Sequence, residues 1–163
     1  MSALKIVSRP KLKRPVFIVA FQGWNDGGQG ATLAAGYLAR LWDATRFAEI
    51  DPEEFFDFQA TRPQISLIEG ETRALTWPEN VFFHARPEGL NHDVVLLIGV
   101  EPNLRWRSFT DLVVGLARDL GVPVIRWLHN YRPLSPSGTL RASGKSLSAD
   151  DSLLVILERL QGS

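Results

Sequence analysis

Apolar residues crowd without polar alternation at Val16 to Phe21 and again at Val94 to Val100. A strand with no polar face is most easily buried on both sides, as in a parallel sheet covered by helices. Each run leads through a polar turn into apolar residues spaced three and four apart. Behind the first stand Leu33, Ala34, Tyr37, Leu38, Leu41 and Trp42; behind the second, Phe109, Leu112, Val113, Leu116, Ala117 and Leu120. That spacing predicts one apolar stripe on each of two helices, and Gly121 offers a stop for the second. Val122 to Leu128 predicts a third core strand. Strand, turn and helix in repetition predict an α/β fold, a mostly parallel sheet flanked by helices with right-handed crossovers.

The middle of the chain reads differently. Phe47 to Ile50 predicts a short strand. Asp51-Pro52-Glu53-Glu54 predicts one helical turn, with its cap, its proline at the first position and its acids near the positive end. Phe55 to Ala60 alternates enough for a strand, Ile65 to Ile68 and Thr72 to Trp77 flank Glu69-Gly70-Glu71 as a hairpin, and Val81 to Ala85 adds a strand. Together these make a β-rich insertion between Phe55 and Ala85. The expected organisation is a flexible arm over 1–14, an α/β domain over 15–128, a loop or disordered connection over 129–149 and a helix over 150–161. Leu153, Ile156, Leu157 and Leu160 line one face of that last helix, with Ser148 as its cap.

Charge and composition narrow the function classes. The chain has 163 residues, with 18 Lys+Arg against 18 Asp+Glu and so no net charge. A nucleic-acid binder needs a basic surplus or a dense basic face. The single basic cluster, Lys5 to Arg14, is broken by Pro10 and reads as a solvated arm. With no cysteine there is no disulfide, thiolate zinc site or Cys nucleophile. No apolar run approaches the ~20 residues of a membrane helix and no signal-peptide pattern stands at the start, so a cytoplasmic protein with no membrane contact is expected.

Candidate chemistry gathers at the ends of the two long strands. The turn Gly23-Trp24-Asn25-Asp26-Gly27-Gly28-Gln29-Gly30 lies where a helix N-terminus could hold an anion. A phosphate loop needs lysine where Gln29 stands and a hydroxyl where Gly30 stands. Asp26 would also put a carboxylate where the phosphate belongs. The alternative is structural: Asp26 caps the helix, and Gln29 three residues on completes a capping box. Glu101 and Asn103 follow the second strand, where open α/β sheets place ligand crevices. Beyond them Arg105 and Arg107 could hold a carboxylate or phosphate as forked donors with Trp106 packed alongside. The same arginines could instead pair with Glu101 or Asp57 and pin the loop. Gln59 and Arg62 either face that crevice or satisfy a strand end. The candidate ligand-binding or structural set is therefore Trp24, Asn25, Asp26, Gln59, Arg62, Glu101, Asn103, Arg105 and Trp106. His84, His92 and His129 show no zinc-ligand spacing and no serine sits in a nucleophile elbow; no catalytic residue, metal or cofactor is expected.

The runs Phe21 to Ala34, Phe47 to Pro63 and Gly99 to Phe109 resemble, in order, the proteasome assembly chaperone 2 family, in particular its bacterial branch. The resemblance covers residues 14 to 128. It implies a fold of the purine nucleoside phosphorylase type, incomplete here relative to the family, whose bacterial members are usually much longer. It also implies a non-enzymatic, chaperone-like or protein-binding domain with a protein partner or self-association. Relatives that dock on proteasome α rings use a C-terminal hydrophobic-tyrosine-any motif; Leu160-Gln161-Gly162-Ser163 lacks it. Two alternatives stay open. One is an enzyme-like α/β protein binding a small molecule or anion in the strand-end crevice, although the carboxylate-amine ligase label sometimes given to bacterial members finds little support in these residues. The other is a truncated or frameshifted product without independent function.

Overall fold

The computed structural model describes residues 3–68 and 72–129. In chain order the elements are β1 (Leu4–Ile6), β2 (Val16–Gln22), α1 (Gly30–Leu41), β3 (Thr45–Ile50), β4 (Gln64–Ile68), β5 (Thr72–Thr76), β6 (Asn80–Ala85), β7 (Val94–Val100), α2 (Trp106–Asp119) and β8 (Ile125–Leu128). Six strands form one sheet in the order β1-β3-β6-β7-β2-β8, and β4 with β5 forms a separate two-stranded sheet.

The sheet is mixed rather than mostly parallel. β2 runs parallel to β7 and to β8, with α1 leading from β2 to β3 and α2 from β7 to β8, but β1 with β3, β3 with β6, and β6 with β7 are antiparallel. The crossover strands were legible because burial on both faces leaves an unbroken apolar run. β6 arrives instead from the hairpin region and closes onto β7 through a short connection, which only antiparallel neighbours permit.

Aromatic packing dominates one face of this sheet. Phe17 and Phe21 of β2, Phe47 of β3, Phe55 in the turn after β3, Phe82 of β6 and Phe109 of α2 are fully buried together. Phe109 meets Phe21 at 5.8 Å and Phe55 edge-on at 5.4 Å between ring centroids. Each such ring contributes roughly 1.5–3 kcal/mol by burial, and the tilted and edge-on contacts add to it.

On the opposite face α1 packs against β2, β7 and β8. Ala31, Thr32 and Ala35 face the sheet, while Leu33, Tyr37 and Leu41 of the predicted stripe are exposed. Small side chains let the helix approach closely, and apolar periodicity could not tell which face would be chosen.

Three other expectations change. Residues 4–6 of the predicted arm form an edge strand on β3, and Ala3, Leu4, Ile6 and Leu12 pack on the core. The predicted strand Phe55 to Ala60 is a turn: Phe55 and Phe56 are buried, and the Asp57 carbonyl accepts from Ala60 and Thr61 N–H. The β-rich insertion is divided, because β4–β5 stands apart while β6 joins the main sheet. The predicted hairpin and the capped turn after Asp51 are present. Residues 130–149 and the helix predicted over 150–161 lie outside the described residues.

Candidate functional site

The carboxyl ends of β2, β3, β7 and β8 lie at one end of the sheet, as the registers require. The turns after β2, β3 and β7 therefore meet there. Backbone bonds tie two of them: Asn103 and Leu104 N–H donate to the Phe55 carbonyl at 2.9 and 3.0 Å. The Asn103 Oδ1 accepts from Asp57 N–H at 3.0 Å and from the Thr61 hydroxyl at 2.9 Å. Asn103 is thus a staple between turns.

Asp26 is buried and committed to α1. Its carboxylate accepts from Ala31 N–H at 2.7 Å and from Thr32 N–H and hydroxyl at 3.0 and 2.6 Å. Burial works against its ionisation, but the Thr32 hydroxyl and the two amides prevail and hold the carboxyl below its ordinary value. The capping role holds; the capping box does not. Gln29 sits in a left-handed conformation, with φ 59°, and makes no side-chain cap bond.

Glu101 faces the first turn. Asn25 Nδ2 donates to its Oε1, and a Cβ at Gly23, whose φ is +153°, would collide with its carboxylate. Only glycine lets the turn pass so close. Burial pushes the Glu101 carboxyl above its ordinary value, opposed by bonds from Asn25 and from Trp24 N–H. The Asn25 Oδ1 is buried without a hydrogen-bond partner among the described residues, while Trp24 is 85% exposed.

No described bond joins any of the three basic side chains of the predicted crevice, Arg62, Arg105 and Arg107, to Glu101 or Asp26. Arg105, left-handed at φ 53°, pairs with Glu54 at 2.5 Å rather than with Glu101 or Asp57. Trp106 starts α2 half-buried, and Arg107 is exposed. Gln59 contributes backbone: its N–H donates to Asp57 Oδ1 at 2.9 Å and its carbonyl accepts from Arg62 Nε at 3.4 Å. Arg62 lines a cavity of about 290 Å³ with Gln22, Thr61, Thr76, Trp77 and Val100. That cavity lies between the sheet end and the hairpin, and of the nine predicted crevice residues only Arg62 lines it.

Sequence reasoning predicted the hairpin but not that its apolar face is exposed. Cross-strand register pairs Ile65 with Leu75 and Leu67 with Arg73, which puts the three apolar side chains on one face. These residues and Trp77 are between 50% and 67% exposed. The signal was present as apolar alternation in 65–68 and 73–77, but alternation does not say whether an apolar face has a cover. No group of side chains among the described residues could hold a metal ion, and no described helix is long and apolar enough to cross a membrane.

A model described as the PAC2 family matches residues 20–139. The chain is 33% identical to a PAC2 family protein of Streptomyces avermitilis over 88% of its own length and 61% of that protein's, with a TM-score of 0.66. It is equally 33% identical to a proteasome-assembly chaperone homologue of Mycobacterium tuberculosis, over 90% of its length and 67% of that protein's, with a TM-score of 0.66. A protein of unknown function from Corynebacterium glutamicum shares the fold over 98% of this chain and 68% of its own, at 21% identity and a TM-score of 0.76. The chain thus spans some two thirds or less of these relatives' lengths. No functionally curated protein matches it.

Proposed function

This chain belongs to the PAC2 family, and on that premise we propose that it is a non-enzymatic, chaperone-like domain that binds another protein. One observation carries this reading: the apolar face of the β4–β5 hairpin, formed by Ile65, Leu67 and Leu75, is exposed outside the main sheet. A lone two-stranded hairpin is at best marginally stable in water, and clustered exposed apolar groups mark interaction sites. The relative described as a proteasome-assembly chaperone homologue supports a protein as the ligand. Self-association, a cytoplasmic location and a phosphorylase-like fold belong to the same reading, as does the lack of a nucleic-acid partner, which the neutral charge balance supports.

Light scattering from a chemically unfolded client protein tests it. The wild-type chain is expected to suppress aggregation, and Ile65→Ser with Leu67→Ser to lose most of that effect while keeping the melting temperature. Equal suppression by the variant, or none by the wild type, overturns the proposal.

A second reading rests on the 290 Å³ cavity, where the Arg62 guanidinium stands beside Gln22 and Thr61. It is a small-molecule or anion-binding function. Thermal-shift screening with phosphorylated metabolites and carboxylates is expected to give a stabilisation that Arg62→Ala abolishes, since a ligand at 100 times its dissociation constant adds about 2.7 kcal/mol. A flat screen removes this reading.

A further inference from the structure

A groove of about 570 Å³ separates the hairpin from the turn after β3. Phe58, Leu75, Trp77 and Pro78 give it apolar walls, and the rings of Phe58 and Trp77 meet edge-on at 5.0 Å. Acids line it as well: Glu49, Asp51, Glu53 and Glu79 against a single cation, Lys5. The Lys5 ammonium lies 3.2 Å from Asp51 and 3.8 Å from Glu49. Arg46, outside the lining, pairs with Glu49 and reaches Glu79 at 3.6 Å. Glu53 has no ion-pair partner among the described residues. Leu75 lines the groove and is the cross-strand partner of Ile65 on the exposed apolar face of the hairpin, so apolar surface and negative charge adjoin.

We infer that this groove docks an extended, basic segment of a partner protein, its apolar side chains against Trp77 and Leu75 and its lysines or arginines against Glu53 and Glu79. The inference rests on the protein-binding reading and names the chemistry of the partner. Charge complementarity selects the occupant. Four carboxylates stand against Lys5 and Arg46, so an acidic segment or a nucleic acid would meet net negative charge, and like charges in apposition are penalised heavily. A purely apolar segment would leave the acids' desolvation uncompensated. The described basic run of a second copy is poorly suited, because Lys5 lies within β1, the backbone of Lys13 is bonded to Asp93, and Arg9 reaches Asp119. In the unliganded protein Lys5 supplies part of the positive charge that the partner would bring.

Fluorescence anisotropy with the full chain tests this. The probe is a labelled heptapeptide alternating lysine with leucine and valine, and the control replaces each lysine with glutamate. The lysine peptide is expected to bind, with affinity falling at least about fivefold between roughly 50 and 300 mM salt as screening shortens the reach of the acids. Glu53→Lys with Glu79→Lys is expected to weaken it by at least about tenfold, equivalent to 1.4 kcal/mol, and Trp77→Ala to weaken it without changing the salt slope. Lys5→Ala is expected to strengthen it. Should the charge-reversed variant fail to fold, Glu53→Gln with Glu79→Gln must still flatten the salt dependence.

Equal binding of the glutamate peptide, undiminished binding by the charge variants, or no binding of the lysine peptide overturns the inference. If the lysine peptide fails while client aggregation is still suppressed, the groove assignment falls alone. If suppression also fails, the protein-binding reading falls with it.

Discussion

Arg86 grips Asp93 with two bonds, Nε to Oδ1 at 2.9 Å and Nη2 to Oδ2 at 3.1 Å, across the connection between β6 and β7. The carboxylate is almost fully buried while the guanidinium is largely exposed, and Lys13 N–H adds a third bond at 2.7 Å. This cluster closes the end of the sheet opposite the candidate site. Its bond from Arg86 is the main reason that the Asp93 carboxyl lies below its ordinary value of 3.8. A depressed carboxyl stabilises the fold above its unfolded value and stops doing so as pH falls through its folded one. Urea melts of Asp93→Asn are expected to show a loss of about 1–3 kcal/mol at pH 7, the cost of weakening buried hydrogen bonds. The gap from wild type should shrink in acid below pH 3.8.

Glu101 has the opposite sign. Its carboxyl is raised by burial, so the folded state holds the proton more tightly than the unfolded chain. The protonated form favours folding, and that contribution is lost as pH rises through the folded value. Glu101→Gln keeps an oxygen for Asn25 and removes the charge. Its melting temperature is expected to exceed wild type at pH 8 and to converge with it near pH 4; a lower value at pH 8 would contradict the assignment.

Asp26 tests the turn as a helix cap. Asp26→Ala removes the acceptor for three donors and is expected to cost about 1–2 kcal/mol. Thr32→Val, which deletes only the hydroxyl, should cost about 1 kcal/mol. The double variant should lose less than the sum, because both changes remove the hydroxyl–carboxylate bond.

Gly99 in β7 tests a close approach. A Cβ there would collide with Asn80 Oδ1 and stand 2.6 Å from the Glu79 carbonyl oxygen. That Oδ1 accepts from Val100 N–H at 3.1 Å, so it has little freedom to retreat. Gly99→Ala is expected to destabilise by about 1–3 kcal/mol, measured by denaturant unfolding.

The face that α1 turns to the sheet is tested by a pair of substitutions. Ala35→Leu should overpack the interface with β2 and cost about 1–3 kcal/mol. Leu33→Gln, on the exposed side, should change stability by no more than about 0.5 kcal/mol.

Much of the fold was readable where local chemistry and burial agree. Val16–Gln22 and Val94–Val100 are apolar on both faces because both faces are covered. The Asp51 turn formed as expected because cap, proline and acids act within four residues. Phe55 to Ala60 was misread because Phe55 and Phe56 are consecutive anchors of a turn, and their burial comes from Phe109 and the core rather than from a strand pleat. Within the candidate site, the structural part was legible and the convergence was not. Asp26 bonds the first-turn amides of its helix, whereas the pairing of Asn25 with Glu101 was not legible, and Arg105 found Glu54, more than fifty residues earlier, at 2.5 Å.

The amino-acid sequence by itself determined the two crossover strands and their helices, the hairpin with its alternation, the neutral charge balance and the family resemblance. Each of these depends on residue types within a few positions, where backbone geometry alone sets the period. Only the tertiary structure decided that the sheet is mixed, that α1 shows its large apolar residues to solvent, and that Arg62 rather than Arg105 lines a cavity. It also joined the acids after β3 with those before β6 along one apolar groove. Such outcomes depend on which distant surfaces meet, and on the burial and pairing that follow, which a linear pattern does not encode.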